Sequence, residues 1–155
     1  MRGKLAKSDT VAYMVAQVAG ATAAGATAAW IFDENVVPCL ADKTMNGWAK
    51  AATCETLFTF ALCLVVLNVA TTASQGDNHF FGLAIGITVS AGAVSVGPIS
   101  GGGFNPAVGL GLWLAKGLMV GEWSDCVYLY LTAPFVGALL AALVFKLTVP
   151  PSEFK

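Results

Sequence analysis

Almost all the charges of this chain sit at its joints. Asp33, Glu34, Asp42, Lys43 and Lys50 form one group, Asp77 stands apart, Lys116, Glu122 and Asp125 form another, and Lys146, Glu153 and Lys155 close the chain. Between them lie four apolar stretches: Val11 to Phe32, about Ala51 to Thr72, Phe80 to Val96, and Val127 to Leu147. A helix rises about 1.5 Å per residue, so about 20 apolar residues cross a hydrocarbon core of about 30 Å. Only the third block, at 17 residues, is short for a span. Composition leads the same way. With 57% hydrophobic residues and 11% charged, the chain is too apolar for a soluble monomer or a disordered segment. Eight basic residues against nine acidic ones, with no basic cluster beyond the first seven residues, give nucleic acid nothing to bind. The expected fold is an all-α polytopic membrane protein, one domain over residues 1–155, with the lipid bilayer as its surroundings.

The first block is too long, and ends in too much charge, to be a cleavable signal, so it reads as a spanning helix. Arg2, Lys4, Lys7, Lys146 and Lys155 then share one side against Lys43, Lys50 and Lys116 on the other, which puts both termini in the cytoplasm. The four cysteines, Cys39, Cys54, Cys63 and Cys126, form no C-x-x-C pair, and His79 is the only histidine, so no metal site is expected. They read as packing or spare thiols. A disulfide between Cys39 and Cys126, which fall in loops on the same outer side, is the alternative. No nucleophile lies at workable spacing from a base, and Glu55 has no carboxylate neighbour in its span, so neither catalysis nor a cofactor is expected.

Small residues recur at i and i+4 in Ala16/Gly20, Ala21/Gly25, Gly82/Gly86 and Gly137/Ala141, a spacing that permits close helix crossings in lipid. Thr88, Ser90 and Ser95 read as polar glue between helices. The first and last spans share an A-[QP]-x-x-G-A frame, at residues 16–21 and 133–138, while running in opposite directions. That is the mark of an inverted repeat, although chance likeness between Ala/Gly-rich helices accounts for six residues equally well.

The segment after Val96 is of another kind. Pro98 and the run Gly101-Gly102-Gly103 are expected to end the third helix and leave it as extended backbone. At Asn105-Pro106 a helix restarts, since Asn is a favoured N-cap and Pro is favoured at the first helical position. From Pro106 to Lys116 it would measure about 16 Å, half a bilayer. Backbone of this type is tolerated at membrane depth only where it packs in protein or lines a water-filled cavity. A pore follows, with the carbonyls of Gly101, Gly102 and Gly103 exposed to permeants and the half-helix N-terminus directing partial positive charge at the midplane. An outer loop with an interfacial helix is the competing reading.

Ser100-Gly101-Gly102-Gly103-Phe104-Asn105-Pro106-Ala107 resembles the re-entrant Asn-Pro-Ala signature of the aquaporin, or major intrinsic protein, family. The likeness continues in Tyr13-Met14-Val15-Ala16-Gln17 with Gly20, in Glu55 within Ala52–Leu57, in Phe81–Gly86 and in Ala133–Gly137, similar to the family's third, fourth, fifth and sixth helices. The resemblance implies a partial, aquaporin-like right-handed helical bundle of four spans and one re-entrant half-helix. It implies a pore signature at Asn105, Pro106 and Ala107, a glutamate, Glu55, bracing the loop through its backbone amides, and a homotetramer.

Two departures stand out. The family has six spans and two such half-helices, so this chain corresponds to its C-terminal two-thirds. The residue after Asn-Pro-Ala is typically arginine in the family, and here it is Val108; the only arginine is Arg2. The other filter positions fall on Ala93 and Gly102, all small or apolar, and Tyr130-Leu131 matches neither the water-selective nor the glycerol-conducting pattern. The expected function is a passive channel for water or small uncharged solutes, with a widened, arginine-free filter. The alternative is a non-conducting relative that only co-assembles with full-length proteins.

Overall fold

The structure, a computed structural model, describes residues 6–32 and 43–153. Arg2, Lys4, Cys39 and Lys155 lie outside the described residues. Among the described residues six α-helices form: α1 (Lys7–Phe32), α2 (Met45–Thr71), α3 (Phe81–Ser100), α4 (Pro106–Val120), α5 (Val127–Tyr130) and α6 (Ala133–Thr148). Among the described residues there is no strand. With α5 and α6 taken as one run from Val127 to Thr148, four helices are long and apolar enough to cross a membrane, and α4 is the one shorter apolar helix beside them. The architecture is that of an all-α, multi-pass integral membrane protein.

The helix ends differ from expectation where a specific group overrides a local signal. α2 starts at Met45 rather than near Ala51 because the Thr44 hydroxyl caps it, accepting from Gly47 N at 3.2 Å. α3 does not stop at Val96. It runs through Pro98 to Ser100, 20 residues in all, and closes on Gly101, whose left-handed backbone (φ 83°) lets its N–H donate to Gly97 O at 2.8 Å. Pro98 forfeits only the bond to the Val94 carbonyl, two residues before the end of the helix. The half-helix α4 also outruns its expected end at Lys116. A charge does not break a helix, and α4 continues until Gly121 (φ 79°) supplies a left-handed cap. The last span is interrupted at Leu131-Thr132, because Pro134 has no N–H for the carbonyl four residues back. The Thr132 hydroxyl donates into the break, to Tyr128 O at 2.7 Å.

α2 is the hub, packed against α6 and α3, while α1 lies on α4. Two of the four small-residue pairs make these crossings. A Cβ on Gly137 would collide with the Thr56 carbonyl of α2, and one on Gly25 would come within 2.8 Å of Leu112 and 2.9 Å of Ala115 in α4. The other two pairs make none, since Gly20, Gly82 and Gly86 meet nothing within 4 Å. Small residues permit a close approach but do not supply the partner. Nor is Thr88 glue between helices: its hydroxyl donates to Ala84 O of its own helix at 2.8 Å, and Ser90 and Ser95 are exposed. Cys54 and Cys63 are free thiols, whereas Cys126, buried beside Ala51, is disulfide-bonded and not a spare thiol.

Candidate functional site

Gly47, Ala51, Glu55 and Thr59 recur every fourth residue along α2 and are all buried, so one stripe of the helix faces inward. Against the middle of this 27-residue helix lies the turn that joins α3 to α4. The expected extended strand is absent. Gly101, Gly102 and Phe104 all take positive φ, at 83°, 65° and 46°, so the chain turns sharply over four residues. Glycine adopts this geometry freely; phenylalanine does so at a cost of about 1–3 kcal/mol that neighbouring structure must offset.

Glu55 supplies the offset. Its side chain is 0% exposed and accepts three hydrogen bonds: from Ser100 Oγ at 2.7 Å and Gly103 N at 3.0 Å on Oε1, and from Phe104 N at 2.6 Å on Oε2. The left-handed turn brings consecutive amides to one side, a concavity that suits an anionic oxygen pair. One helical turn further along α2, Thr59 Oγ1 donates to Phe104 O at 3.3 Å. Phe104 is therefore held at both its amide and its carbonyl. Its ring packs on Phe58, centroids 5.6 Å apart, over Gly92, where a Cβ would come within 2.9 Å of it.

Tyr130, at the end of α5, holds the opposite side. It is 1% exposed, its hydroxyl donates to Ser100 O, and its ring fills the space a Cβ would occupy at both Gly103 and Gly109. Ser100 sits at the centre, since its hydroxyl donates to Glu55 and accepts from Gly102 N at 3.3 Å.

Backbone accounting then separates two classes of carbonyl. Those of Ser100, Phe104 and Asn105 accept from Tyr130, Thr59 and Gly109 N respectively. Those of Gly101, Gly102 and Gly103 accept no hydrogen bond from any described residue. Gly101, Gly102 and Gly103 are half-buried, so these three consecutive carbonyls are open to a partner outside the chain. Directly after them, Asn105 caps α4, its side-chain oxygen accepting from Ala107 N at 2.9 Å with Pro106 in the first turn. Its side-chain amide has no described acceptor, and Asn105, Pro106 and Ala107 are all half-buried.

Of the three positions expected to form a filter, two adjoin: a Cβ on Gly102 would lie 3.4 Å from Ala93 Cα. Val108 is half-buried in the first turn of α4. Above the half-helix, the 121–126 segment folds back. Trp113 Nε1 donates to Ser124 O at 2.9 Å, Trp123 packs edge-on to Trp113 and covers Gly117, and Lys116 pairs with Glu122 at 2.9 Å. Lys116 holds the Glu122 carboxyl below the usual carboxylate range. No cluster of His, Cys, Asp or Glu able to hold a metal occurs among the described residues.

Sequence reasoning missed Ser100, Thr59 and Tyr130 as partners of the turn. Thr59 had a signal, lying one turn from Glu55 on the same face. Tyr130 had none, because its contacts are made across 30 residues of chain.

Residues 1–145 match the sequence profile of the family described as Major intrinsic protein. The chain belongs to this family. Major intrinsic proteins are channels rather than enzymes, in keeping with a site made of backbone and an amide cap. Among similar proteins, Aquaporin NIP2-1 of Arabidopsis thaliana is 35% identical over 143 residues, covering 88% of this chain and 48% of the relative. Aquaporin NIP1-4 of Oryza sativa subsp. japonica is 33% identical over 136 residues, with 88% and 48% covered. Glycerol uptake facilitator protein-like 6 of Lactiplantibacillus plantarum is 32% identical over 139 residues, with 87% and 62% covered. The chain thus spans about half the length of the plant relatives it matches.

Proposed function

We propose that this chain lines a passive path for water or small uncharged solutes. The three consecutive free carbonyls of Gly101, Gly102 and Gly103, set beside the middle of α2 and followed at once by the Asn105 cap, carry the reading. Acceptors in a row can replace a solute's hydrogen bonds to water one at a time, and the Asn105 side-chain amide adds a donor at the half-helix end. Partial positive charge at the α4 N-terminus disfavours cations there. In this reading Ala93, Gly102 and Val108 form an arginine-free filter, wider than an arginine would leave it, both termini are cytoplasmic, and the protein assembles as a homotetramer.

Osmotic swelling of proteoliposomes in gradients of sorbitol, urea and glycerol tests the channel directly. Permeability to water or to urea and glycerol above that of empty vesicles is expected; none would overturn the reading. Val108→Arg should narrow the range of permeant solutes, and an unchanged range would remove Val108 from the filter. The chain's half-length match to its plant relatives favours a second reading, in which it acts only by joining longer family members. That reading predicts vesicles no leakier than empty ones, together with altered membrane delivery of a co-expressed full-length relative.

A further inference from the structure

We infer that Cys126 is joined to Cys39, that this disulfide clasps the segment covering the half-helix, and that it sets this end of the bundle in an oxidising compartment. Cys126 is disulfide-bonded within a single chain, so its partner is one of the other three cysteines. Cys54 and Cys63 are free thiols, which leaves Cys39. Cys39 itself lies outside the described residues, so the pair is identified through the state of the three described cysteines. Two contacts of described residues bear on the same end of the bundle. Cys126 is 3% exposed and packs with Ala51 in the second turn of α2, beside Trp48, at the end of α2 where the 33–42 connection joins it. Lys43, the first described residue after that connection, adds its charge to that of Lys116 in holding the Glu122 carboxyl low, so the chain re-enters beside the 121–126 segment. That segment is held to α4 at one side by the Trp113 indole, the Trp123 ring and the Lys116–Glu122 pair. The disulfide anchors its other side. Disulfides persist in extracellular, lumenal or periplasmic spaces, where the two thiols pass two electrons and two protons to a disulfide oxidant that leaves as a pair of thiols. Burial shields the Cys126 sulfur from reductants, so the clasp is permanent rather than a switch. The end of the bundle bearing Cys126 is thereby placed away from the cytosol on grounds separate from the count of basic residues, and whether or not the chain conducts.

The test begins with the parent chain. Cells are treated with N-ethylmaleimide before lysis, which captures the thiols as they stand in the cell, and the denatured protein is mapped by peptide mass with and without reduction. Without reduction, Cys54 and Cys63 should carry the label and Cys39 and Cys126 should appear as one cross-linked peptide pair. Labelling of all four cysteines would overturn the disulfide and the compartment with it. A cross-link from Cys126 to any other residue would overturn the assignment to Cys39. Cys39→Ser should leave Cys126 open to the label, while Cys54→Ser should leave the cross-linked pair intact; a Cys126 still blocked in Cys39→Ser would again overturn the pairing. The clasp is read by amide exchange in the same variant. Val127 N and Tyr128 N donate to Ser124 O at 3.5 Å and to Asp125 O at 3.2 Å, within the turn that carries Cys126. Their exchange should speed at least about threefold in Cys39→Ser, while Gly103 and Phe104, bound to Glu55, stay within about twofold of the parent. Equal exchange at Val127 and Tyr128 in variant and parent would overturn the clasp.

Discussion

The turn between α3 and α4 and the outer face of α1 are built from similar residues and packed in opposite ways. Around the turn, glycines at 92, 103, 109 and 137 each lie against a neighbour so closely that a Cβ would intrude, and four side chains from three helices meet in hydrogen bonds. Among the described side chains and glycines of α1 only Gly25 is buried, and Val11, Tyr13, Met14, Val15, Trp30, Ile31 and Phe32 are exposed. A largely apolar groove of about 710 Å³ runs there between α1 and α4, past Met14, Val18, Thr22 and Leu114. Lipid is as apolar as leucine, so apolar contact alone does not fix a helix in a membrane. What fixes the turn is polar satisfaction: each amide from Gly101 to Phe104 has a named acceptor, and removal of one partner strands the rest.

The sharpest way to break that contrast is at Glu55. Glu55→Leu removes the acceptors for Ser100 Oγ, Gly103 N and Phe104 N at once, and stranded buried donors cost about 1–3 kcal/mol each. Little folded protein should survive, read as the loss of a cooperative thermal transition in detergent. Glu55→Gln keeps one acceptor oxygen and should retain a transition at lowered Tm. Similar melting of the two variants would mean that Glu55 does not brace the turn.

Next in size is a matched pair of glycines, at equivalent positions in the frame shared by the first and last spans. Gly137→Ala drives a methyl into the Thr56 carbonyl and Phe60 N, an overpacking of about 1–3 kcal/mol. Gly20→Ala meets open space and should lie within about 0.5 kcal/mol of the parent, as surface changes usually do. Equal destabilisation at both sites would show that another surface covers α1 in the assembled protein. Thr59→Val follows, with an expected loss of about 0.5–1.5 kcal/mol for the single bond to Phe104 O.

These residues also show which parts of the molecule were legible in sequence. The restart of the helix at Asn105-Pro106 was, because cap and first-turn preferences act within three residues. The four spans were, because charge is expensive in hydrocarbon and sits at their ends. The left-handed Phe104 was not, since local preference opposes it and only Glu55 and Thr59, 49 and 45 residues away in sequence, make it stable. The continuation of α3 through Pro98 was hidden for the opposite reason: the proline signal is strong, but its cost falls on one carbonyl near a helix end. The small-residue pairs announced four crossings and the chain itself makes two, because a permissive surface names no partner.

The smallest effect belongs to the loop that covers the half-helix. Glu122 is exposed, and its carboxyl is held below the usual carboxylate range chiefly by its hydrogen bond and charge interaction with Lys116. A group whose folded value is lowered contributes its stabilisation fully above its unfolded value, and loses it as pH falls through the folded one. The contact should therefore be intact at neutral pH and released only in acid below the ordinary carboxylate range. Exposed pairs are also screened by salt. Trp123 fluorescence, which reports the edge-on contact with Trp113, should accordingly stay flat from pH 8 to about pH 5, change below the carboxylate range, and change less in Glu122→Gln. The same titration leaves the turn at Glu55 undisturbed if the two regions are independent. An acid transition in the amide exchange of Gly103 and Phe104 that tracked the Trp123 signal, and that vanished in Glu122→Gln, would instead join the outer loop to the turn through α4.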